Sequence, residues 1–328
     1  MTRARVRAIA VAGAIAGAAL FVWTLKAAGV SAVVDAVTRI GGGFFVIVAL
    51  GGLRHLARAA AWRLCFDEPR DLPIGWSVAA YISGDAVGNV TPFGIFASEP
   101  SKIVLLRDRL ASAAAIPALA LENLFYGATV LVMLVGGTAA LLEAFDVTAR
   151  IRAAGLLLIA GVAAAVAVAT VVAKVRPQWA RPLTAFVAAH RDRLWAILGL
   201  EVAYHVSAVL EIWIALALIT GTPPTWLVAF VLEYVNRTIT IAFQFVPMWL
   251  GVDEAGTGLM TTALGLTGAT GVALALARKA RIAVWTAIGL LLLGIFRRRT
   301  GFTPNEHEHR YRWRNGISGA SAGRGARG

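Results

Sequence analysis

The chain has 328 residues, of which 59% are hydrophobic and 15% charged, and its mean hydropathy is +0.73. Soluble domains contain roughly 45–50% apolar residues, so this composition excludes an ordinary soluble protein. The formal net charge is +13. The basic residues lie in short loops and in the C-terminal tail, a distribution typical of topology signals and of contact with anionic lipid headgroups. We therefore expect membrane lipids as partners and no nucleic acid.

Apolar runs long enough to cross a bilayer recur along the chain. They predict an all-α, polytopic transmembrane helix bundle. We place about eight spans near residues 8–25, 41–57, 112–142, 153–173, 195–218, 226–247, 256–276 and 280–296. The first run follows three arginines and is interpreted as an uncleaved helix rather than a signal peptide. Residues 1–296 are predicted to form the transmembrane domain, and residues 297–328 a basic, disordered cytoplasmic tail.

Two stretches share one local pattern: a proline, then a glycine, then a glutamate seven residues after the proline. The first contains Pro92, Gly94 and Glu99, and the second contains Pro247, Gly251 and Glu254. The first stretch lies in the segment 72–96, which we predict to be re-entrant or broken because it also carries Asp85 and Asn89. The segment 256–276 either spans or re-enters. Paired, interrupted apolar segments in the two halves of a chain indicate a transporter-like binding site and fit an inverted repeat.

Basic residues also predict the orientation. With a cytoplasmic N terminus, the predicted inner segments hold 15 basic residues and the outer loops hold 4. The inner set is Arg3, Arg5, Arg7, Arg54, Arg58, Arg63, Arg70, Lys102, Arg107, Arg109, Lys174, Arg176, Arg181, Arg191 and Arg193. Arg278, Lys279 and Arg281 are predicted to lie in a loop before the last span, and the arginine-rich tail is placed inside.

Several ionisable residues fall within predicted spans, where each charge facing lipid would cost about 2.5–3.5 kcal/mol on insertion scales. Helical spacing groups them on three faces. The faces carry Glu122, Tyr126 and Thr129; Glu201, Tyr204, His205 and Glu211; and Glu233, Asn236, Arg237, Thr240 and Gln244. We interpret these faces as walls of a polar cavity. Interhelical hydrogen bonds that only hold the bundle together are the alternative.

Glu99 and Lys102 follow the first break, and Asp253 and Glu254 follow the second. A helix N-terminus at such a place can bind an anion such as a lipid phosphate, although ordinary helix capping explains these residues equally well. The sequence contains no metal-ligand spacing, phosphate-binding loop or nucleophile motif. No catalytic residue, metal or cofactor is therefore expected.

A family resemblance rests on a set of ordered motifs. They are Asn89-Val-Thr-Pro92-Phe-Gly94, Ser98-Glu99-Pro100-Ser-Lys102, Leu121-Glu122-Asn123 and Pro247-x-x-x-Gly251-Val-Asp-Glu254. In these the chain resembles the flippase-like integral membrane family that includes the membrane half of lysylphosphatidylglycerol synthases, the multiple peptide resistance factor proteins. The resemblance implies a bacterial inner-membrane protein that moves or handles phospholipids, hopanoids or lipid-linked intermediates.

This chain departs from that pattern in two respects. It carries no soluble lysyl-transfer domain, so the resemblance does not imply aminoacyl transfer. Asn123 stands where many members carry a basic residue after the glutamate, which weakens a charge-pair role at this position.

These observations predict a lipid translocase or lipid-binding membrane protein. In this hypothesis a headgroup enters a cavity lined by Glu122, Glu201, Glu233 and Arg237, and Arg237 holds the phosphate. The full predicted lipid-binding set is Asp85, Asn89, Pro92, Glu99, Lys102, Glu122, Glu201, His205, Glu233, Asn236, Arg237, Gln244, Pro247 and Glu254. Two alternatives remain: a scaffold subunit for a separate lipid or glycan synthase, and an intramembrane lipid-modifying transferase. A homo-oligomer is compatible with each.

Overall fold

The computed structural model describes residues 3–91, 94–107, 110 and 112–299. These residues form α-helices joined by short turns and contain no β-strand. The helices are α1 (Arg3–Ala28), α2 (Val30–Ile40), α3 (Phe44–Leu64), α4 (Ile74–Val90), α5 (Ile95–Leu106), α6 (Ser112–Ala144), α7 (Ala149–Val175), α8 (Pro177–Ala189), α9 (Arg191–Thr220), α10 (Trp226–Ala242), α11 (Val252–Ala263) and α12 (Gly268–Arg299). Pro92 and the predicted tail from residue 300 onward lie outside the described residues.

Five helical segments in the described part of the chain are long and apolar enough to cross a membrane. They are Val30–Leu64, Ala114–Ala144, Ala149–Val175, Arg191–Thr220 and Gly268–Phe296. Helix α7 is the most apolar of them, with a mean hydropathy of 2.7, and its most apolar stretch is not buried against the protein at all. The all-α, multi-pass membrane fold is confirmed, whereas the count of about eight spans stays a prediction.

The predicted break in the segment 72–96 is confirmed. Helix α4 ends at Val90 and α5 begins at Ile95, and their lengths are 17 and 12 residues. A spanning helix needs about 20 residues, so neither helix crosses the hydrocarbon core alone. The two helices pack so closely that a Cβ atom on Gly94 would overlap the carbonyl oxygen of Gly88. Glycine at this position therefore allows the hairpin to close.

A second break separates α10 from α11. It contains a short 3-10 turn, Pro247–Trp249, in which Met248 and Trp249 have φ angles of 52° and 51°. This left-handed conformation costs of order 1–3 kcal/mol per non-glycine residue and persists only where the surroundings enforce it. Gly251 follows with φ 82°, and a Cβ atom there would overlap the carbonyl oxygen of Gly17 in α1. The chain is thus held tightly against α1 at this break.

Two predictions about basic residues are wrong. Helix α12 is continuous from Gly268 to Arg299, so no loop surrounds Arg278, Lys279 and Arg281. These three side chains are buried in the bundle, as are Arg54 and Arg58 of α3, which the orientation count places at the inner side of the membrane. The physical reason is that carboxylates on neighbouring helices pair with these cations. A run of basic residues therefore does not mark a loop here.

The order of helix lengths repeats in the two halves of the described chain. Helices α1 to α6 have 26, 11, 21, 17, 12 and 33 residues, and α7 to α12 have 27, 13, 30, 17, 12 and 32 residues. The packing follows the same order, because α4 lies on α12 while α10 lies on α6, and α3 packs on α9. The two broken segments, α4–α5 and α10–α11, therefore occupy equivalent positions.

Apolar side chains pack at both ends of the α3–α9 pair. One cluster joins Trp62 near the end of α3 to Ile197 near the start of α9. Another joins Ile47 near the start of α3 to Ile212 and Leu216 of α9. The charged residues of α3 lie between these clusters, so the charges are concentrated in the middle of the bundle.

Candidate functional site

A cavity of about 480 Å³ opens in the middle of the bundle, where the two broken segments meet. Thr91 and Gly94 from the first break contribute to its wall, and Gln244, Pro247 and Trp249 contribute from the second. Helices α3, α6, α9 and α12 and the helices on either side of each break supply the remaining wall. Non-helical backbone at membrane depth is tolerated where it lines such a cavity.

Six basic side chains line this cavity, and each is at most 9% exposed: Arg54, Arg58, Lys102, Arg237, Arg278 and Arg281. Every one of them has a carboxylate within ion-pair distance. Burial of a charge is expensive unless the charge is paired, so these pairs explain how the bundle accommodates the cations. We refer to these six residues below as the basic wall.

The first hairpin holds Lys102 between two carboxylates. Its Nζ atom lies 2.9 Å from Oε1 of Glu99 and 3.2 Å from Oδ1 of Asp85. Asp85 also accepts a hydrogen bond from Ser98 at 3.1 Å, and Glu99 accepts one from Asn123 of α6 at 2.8 Å. The side chains of Asp85 and Glu99 are 30% and 25% exposed. Both carboxylates are therefore partly exposed at the cavity.

Arg237 on α10 is fixed by neighbours on two helices. Nη2 lies 2.6 Å from Oε1 of Glu233, one turn earlier on the same helix, and Nη1 donates to the Tyr126 hydroxyl at 2.9 Å. Asn236 donates to the other Glu233 oxygen at 3.0 Å. The Glu233–Arg237 spacing of four residues is the favourable order for a helical ion pair. The guanidinium of Arg237 therefore lines the cavity, whereas Glu233 lies outside the cavity wall.

The second break is anchored by acidic residues of α11. The fully buried Glu254 accepts a hydrogen bond from the Gly251 backbone amide at 2.8 Å and pairs with Lys279 Nζ at 3.1 Å. Asp253 pairs with Arg278 at 2.6 Å and with Lys279 at 3.1 Å. Glu254 therefore caps the helix that begins after the break, and its contacts are structural.

A third charge cluster joins α3, α9 and α12. Glu211 lies between two arginines, 3.2 Å from Nη1 of Arg54 and 2.8 Å from Nε of Arg281. Arg54 also donates to the Tyr204 hydroxyl at 2.9 Å and lies over the Tyr204 ring at 4.6 Å. One carboxylate thus compensates two cations, which leaves this side of the cavity electropositive.

Several guanidinium nitrogens of the basic wall have no hydrogen-bond partner in the described structure. Among them are Nε of Arg54, Nε of Arg237, and Nε and Nη1 of Arg278. Buried donors are nearly always satisfied in native proteins, and each one left unpaired costs about 1–3 kcal/mol. These nitrogens are themselves buried. A ligand with several acceptor oxygens, such as a phosphate, would satisfy them only after the side chains turn toward the cavity.

The comparison with known protein families agrees with this architecture. A family model described as "Lysylphosphatidylglycerol synthase TM region" matches residues 8–297. The chain belongs to this family. No curated protein and no solved structure gives a significant match. The family and the apolar helices together establish a multi-pass membrane protein whose function is related to membrane lipid.

In this member of the lysylphosphatidylglycerol synthase TM region family, the cavity brings together eight of the residues predicted from the sequence. Asp85, Asn89, Glu99, Lys102, Asn236, Arg237, Gln244 and Pro247 line it. Asn89 also donates to Thr286 of α12 at 3.0 Å, which links the first hairpin to the second half of the chain.

Five other predicted residues lie outside the wall: Glu122, Glu201, His205, Glu233 and Glu254. The four glutamates are at most 1% exposed. His205 stacks on Tyr126 and lies 3.1 Å from the Thr129 hydroxyl through Nε2. Pro92 lies outside the described residues.

Sequence reasoning missed most of the basic wall. The positive-inside count places Arg54 and Arg58 in the inner segments, and Arg278 and Arg281 are expected before the last span. Their spacing did carry a signal: four residues separate the first pair and three the second, so each pair occupies one helix face. Within the described ranges, no group of three or more His, Cys, Asp or Glu side chains could hold a metal ion.

Proposed function

We propose that this protein binds the phosphate-bearing headgroup of a membrane lipid in the central cavity and moves that lipid across the bilayer. The observation that carries the proposal is the basic wall: six buried cations converge on one cavity between two broken hairpins. If the polar side chains served only to hold the helices together, no cavity would be needed between the two hairpins. The family's name, which refers to a phospholipid synthase, supports a lipid as the ligand.

The chemistry of the wall fits a phosphodiester. Arginine binds phosphate through paired N–H donors, and unpartnered donors remain on Arg54, Arg237 and Arg278. At the other end, the partly exposed carboxylates of Asp85 and Glu99 can accept hydrogen bonds from hydroxyl or amino groups of the headgroup beside their present partners. The acyl chains would remain in the bilayer, because the surrounding helices expose apolar side chains.

The repeated helix order supports translocation rather than binding alone. Each half contains one broken hairpin and a set of longer helices in the same order. If the longer helices of a half cross the membrane three times, an odd number, the second half is inverted relative to the first. Inverted repeats with broken helices at the midplane are a recurring architecture of transporters, which rock one element against another around a fixed site.

We also propose that the protein resides in a bacterial cytoplasmic membrane with its N terminus in the cytoplasm. The structure removes Arg54, Arg58 and Lys102 from the 15 basic residues counted as inner, because all three are buried in the bundle. Twelve remain, against four in the outer loops. The positive-inside rule therefore still favours this orientation.

Native mass spectrometry of the protein released from mild detergent tests the lipid proposal. We expect one class of anionic lipid to be enriched over the bulk membrane in the wild type and lost in Arg237→Gln. The glutamine keeps a hydrogen-bonding group next to Glu233 while it removes the cation. Val168→Ala on α7 is the matched control, because Val168 is 63% exposed and lies away from the cavity. Lipid of bulk composition in all three proteins would contradict the proposal.

A further inference from the structure

Two fully buried glutamates share one arginine beside the cavity. Arg58 on α3 pairs with Glu122 of α6 through Nε, and the same nitrogen lies 3.8 Å from Oε2 of Glu201 on α9. Both glutamates are 0% exposed. Two carboxylates and one guanidinium carry a net charge of −1 when both acids are ionised, so this cluster is one cation short.

The two glutamates differ in what else holds their charge. Glu122 accepts a hydrogen bond from Arg58 and another from the Tyr81 hydroxyl at 3.2 Å. Neither oxygen of Glu201 has a hydrogen-bond partner in the described structure. A buried carboxylate without partners is the form that burial disfavours most strongly. The charge of Glu201 therefore depends on Arg58.

No second cation next to Glu201 could replace Arg58 in the described part of the chain. Among the described residues, the charged groups that act on it are Arg58 from α3 and Glu122 from α6. The Cys65 thiol, at the end of α3, lies in the same neighbourhood. The same turns of α3 and α9 contribute Trp62 and Ile197 to an apolar cluster.

Arg58 separates this acid pair from the cavity. It belongs to the cavity wall, whereas Glu122 and Glu201 do not. Its guanidinium lies 3.5 Å from the centre of the Tyr126 ring and donates to Asn123 at 3.3 Å, both on α6. An anion that enters the cavity would compete with the two glutamates for this guanidinium.

We propose that Glu201 is a proton-binding site that takes up one proton when an anionic phosphate headgroup binds at Arg58. At a pH where Glu201 is ionised in the empty cavity, Arg58 is the cation that offsets its carboxylate; after binding, the phosphate oxygens accept from Arg58 instead. The Glu201 carboxylate then takes a proton from water and becomes the neutral acid, so one lipid charge and one proton enter together. This inference rests on the proposed lipid function and supplies a way in which a proton gradient drives the movement of an anionic lipid.

The sign of the linkage follows from this exchange. Because the bound form holds one more proton than the empty form, acidification favours binding. For one linked proton the dissociation constant falls by up to about tenfold for each pH unit of acidification. Glu201→Gln has no titrating group at this position, and Glu122 keeps its hydrogen bond from Tyr81, so its affinity is expected to depend on pH much less than that of the wild type. The glutamine also removes an unpartnered buried charge, so the variant is expected to fold.

The test measures binding of short-chain phosphatidylglycerol to the purified protein by calorimetry in buffers of different ionisation enthalpy, which reports protons taken up per bound ligand. The pH is set high enough that Glu201 is ionised in the empty protein. We expect about one proton for the wild type, none for Glu201→Gln, and the wild-type value for Glu143→Gln, whose glutamate is exposed at the end of α6. Glycerol phosphate, the same anion without acyl chains, shows whether a free phosphate suffices or a lipid is required.

The outcomes separate the two proposals. Equal proton uptake in the wild type and in Glu201→Gln, with phosphatidylglycerol bound to both, would overturn the proton site and leave the lipid function intact. Failure of both proteins to bind either probe would overturn the lipid function and this inference with it. Binding without proton uptake in the wild type would also overturn the inference.

Discussion

Replacing Glu211 with alanine is expected to destabilise the protein more than any other single change described above. Glu211 is 1% exposed and compensates Arg54 and Arg281 at the same time. Its removal leaves two buried guanidinium groups without a carboxylate, and loss of one partner of a buried ion pair typically costs about 3–5 kcal/mol. We expect a large fall in the thermal unfolding temperature in detergent, measured by intrinsic tryptophan fluorescence.

A matched control and a compensating change make this result specific. Glu143→Ala removes the same charge at an exposed position and is expected to unfold at the wild-type temperature. Adding Arg281→Met to Glu211→Ala removes one of the uncompensated cations and should recover part of the loss. Equal unfolding temperatures for Glu211→Ala and Glu143→Ala would show that the cluster does not hold α3, α9 and α12 together.

Arg278→Gln is expected to weaken the binding of short-chain phosphatidylglycerol by about tenfold to a hundredfold, equivalent to about 1.5–3 kcal/mol for a charge-assisted hydrogen bond. Two nitrogens of Arg278 lack partners, and the side chain lines the cavity. Its partner Asp253 keeps the ion pair with Lys279 at 3.1 Å, so the second break should remain folded. Titration calorimetry measures the dissociation constant.

Arg39→Gln is the control for the loss of one positive charge. Arg39 lies at the exposed end of α2, where it donates to the Ile219 carbonyl at 3.3 Å, and it does not line the cavity. Its affinity for phosphatidylglycerol should equal that of the wild type. An equal loss of affinity in both variants would mean that long-range charge, rather than a site at Arg278, attracts the lipid.

The sequence predicted the features of this fold that depend on local pattern. The apolar runs predicted the helices, and the Pro-Gly-Glu pattern pointed to both breaks, because proline and glycine close together disfavour a continuous helix. Helical spacing likewise grouped Glu233, Asn236 and Arg237 on one face, where the structure joins them by hydrogen bonds. Such features need no knowledge of the neighbouring helices.

The features that depend on tertiary partners could not be predicted in this way. From the sequence, Arg58 and Arg278 look like the charged residues of a loop. In the structure they lie in the cavity wall because they form ion pairs with Glu122 and Asp253 on other helices. The continuity of α12 follows from the same pairing, since Arg278, Lys279 and Arg281 are compensated inside the membrane domain. A sequence gives the positions of charges but not the pairs they form.

The repeated helix order was visible in the sequence only as one shared motif. In the structure, Glu99 is bonded to Asn123 and Glu254 to Lys279, and both links join the short helix after a break to the long helix that follows it. Lys279 in the second half therefore corresponds to Asn123 in the first. The basic residue that many family members carry after the glutamate of the first half is replaced here by an amide. The amide keeps the contact with Glu99 without a second charge.

The central claim, that the basic wall takes a lipid headgroup through the bundle, is tested most directly by lipid translocation in proteoliposomes. Acyl-chain-labelled phosphatidylglycerol would be followed as it becomes accessible to a membrane-impermeant quencher. We predict rapid translocation with the wild type and with Arg39→Gln, and a rate close to that of protein-free vesicles with Arg278→Gln. Wild-type vesicles that are no faster than protein-free vesicles, or an Arg278→Gln variant as fast as the wild type, would contradict the account.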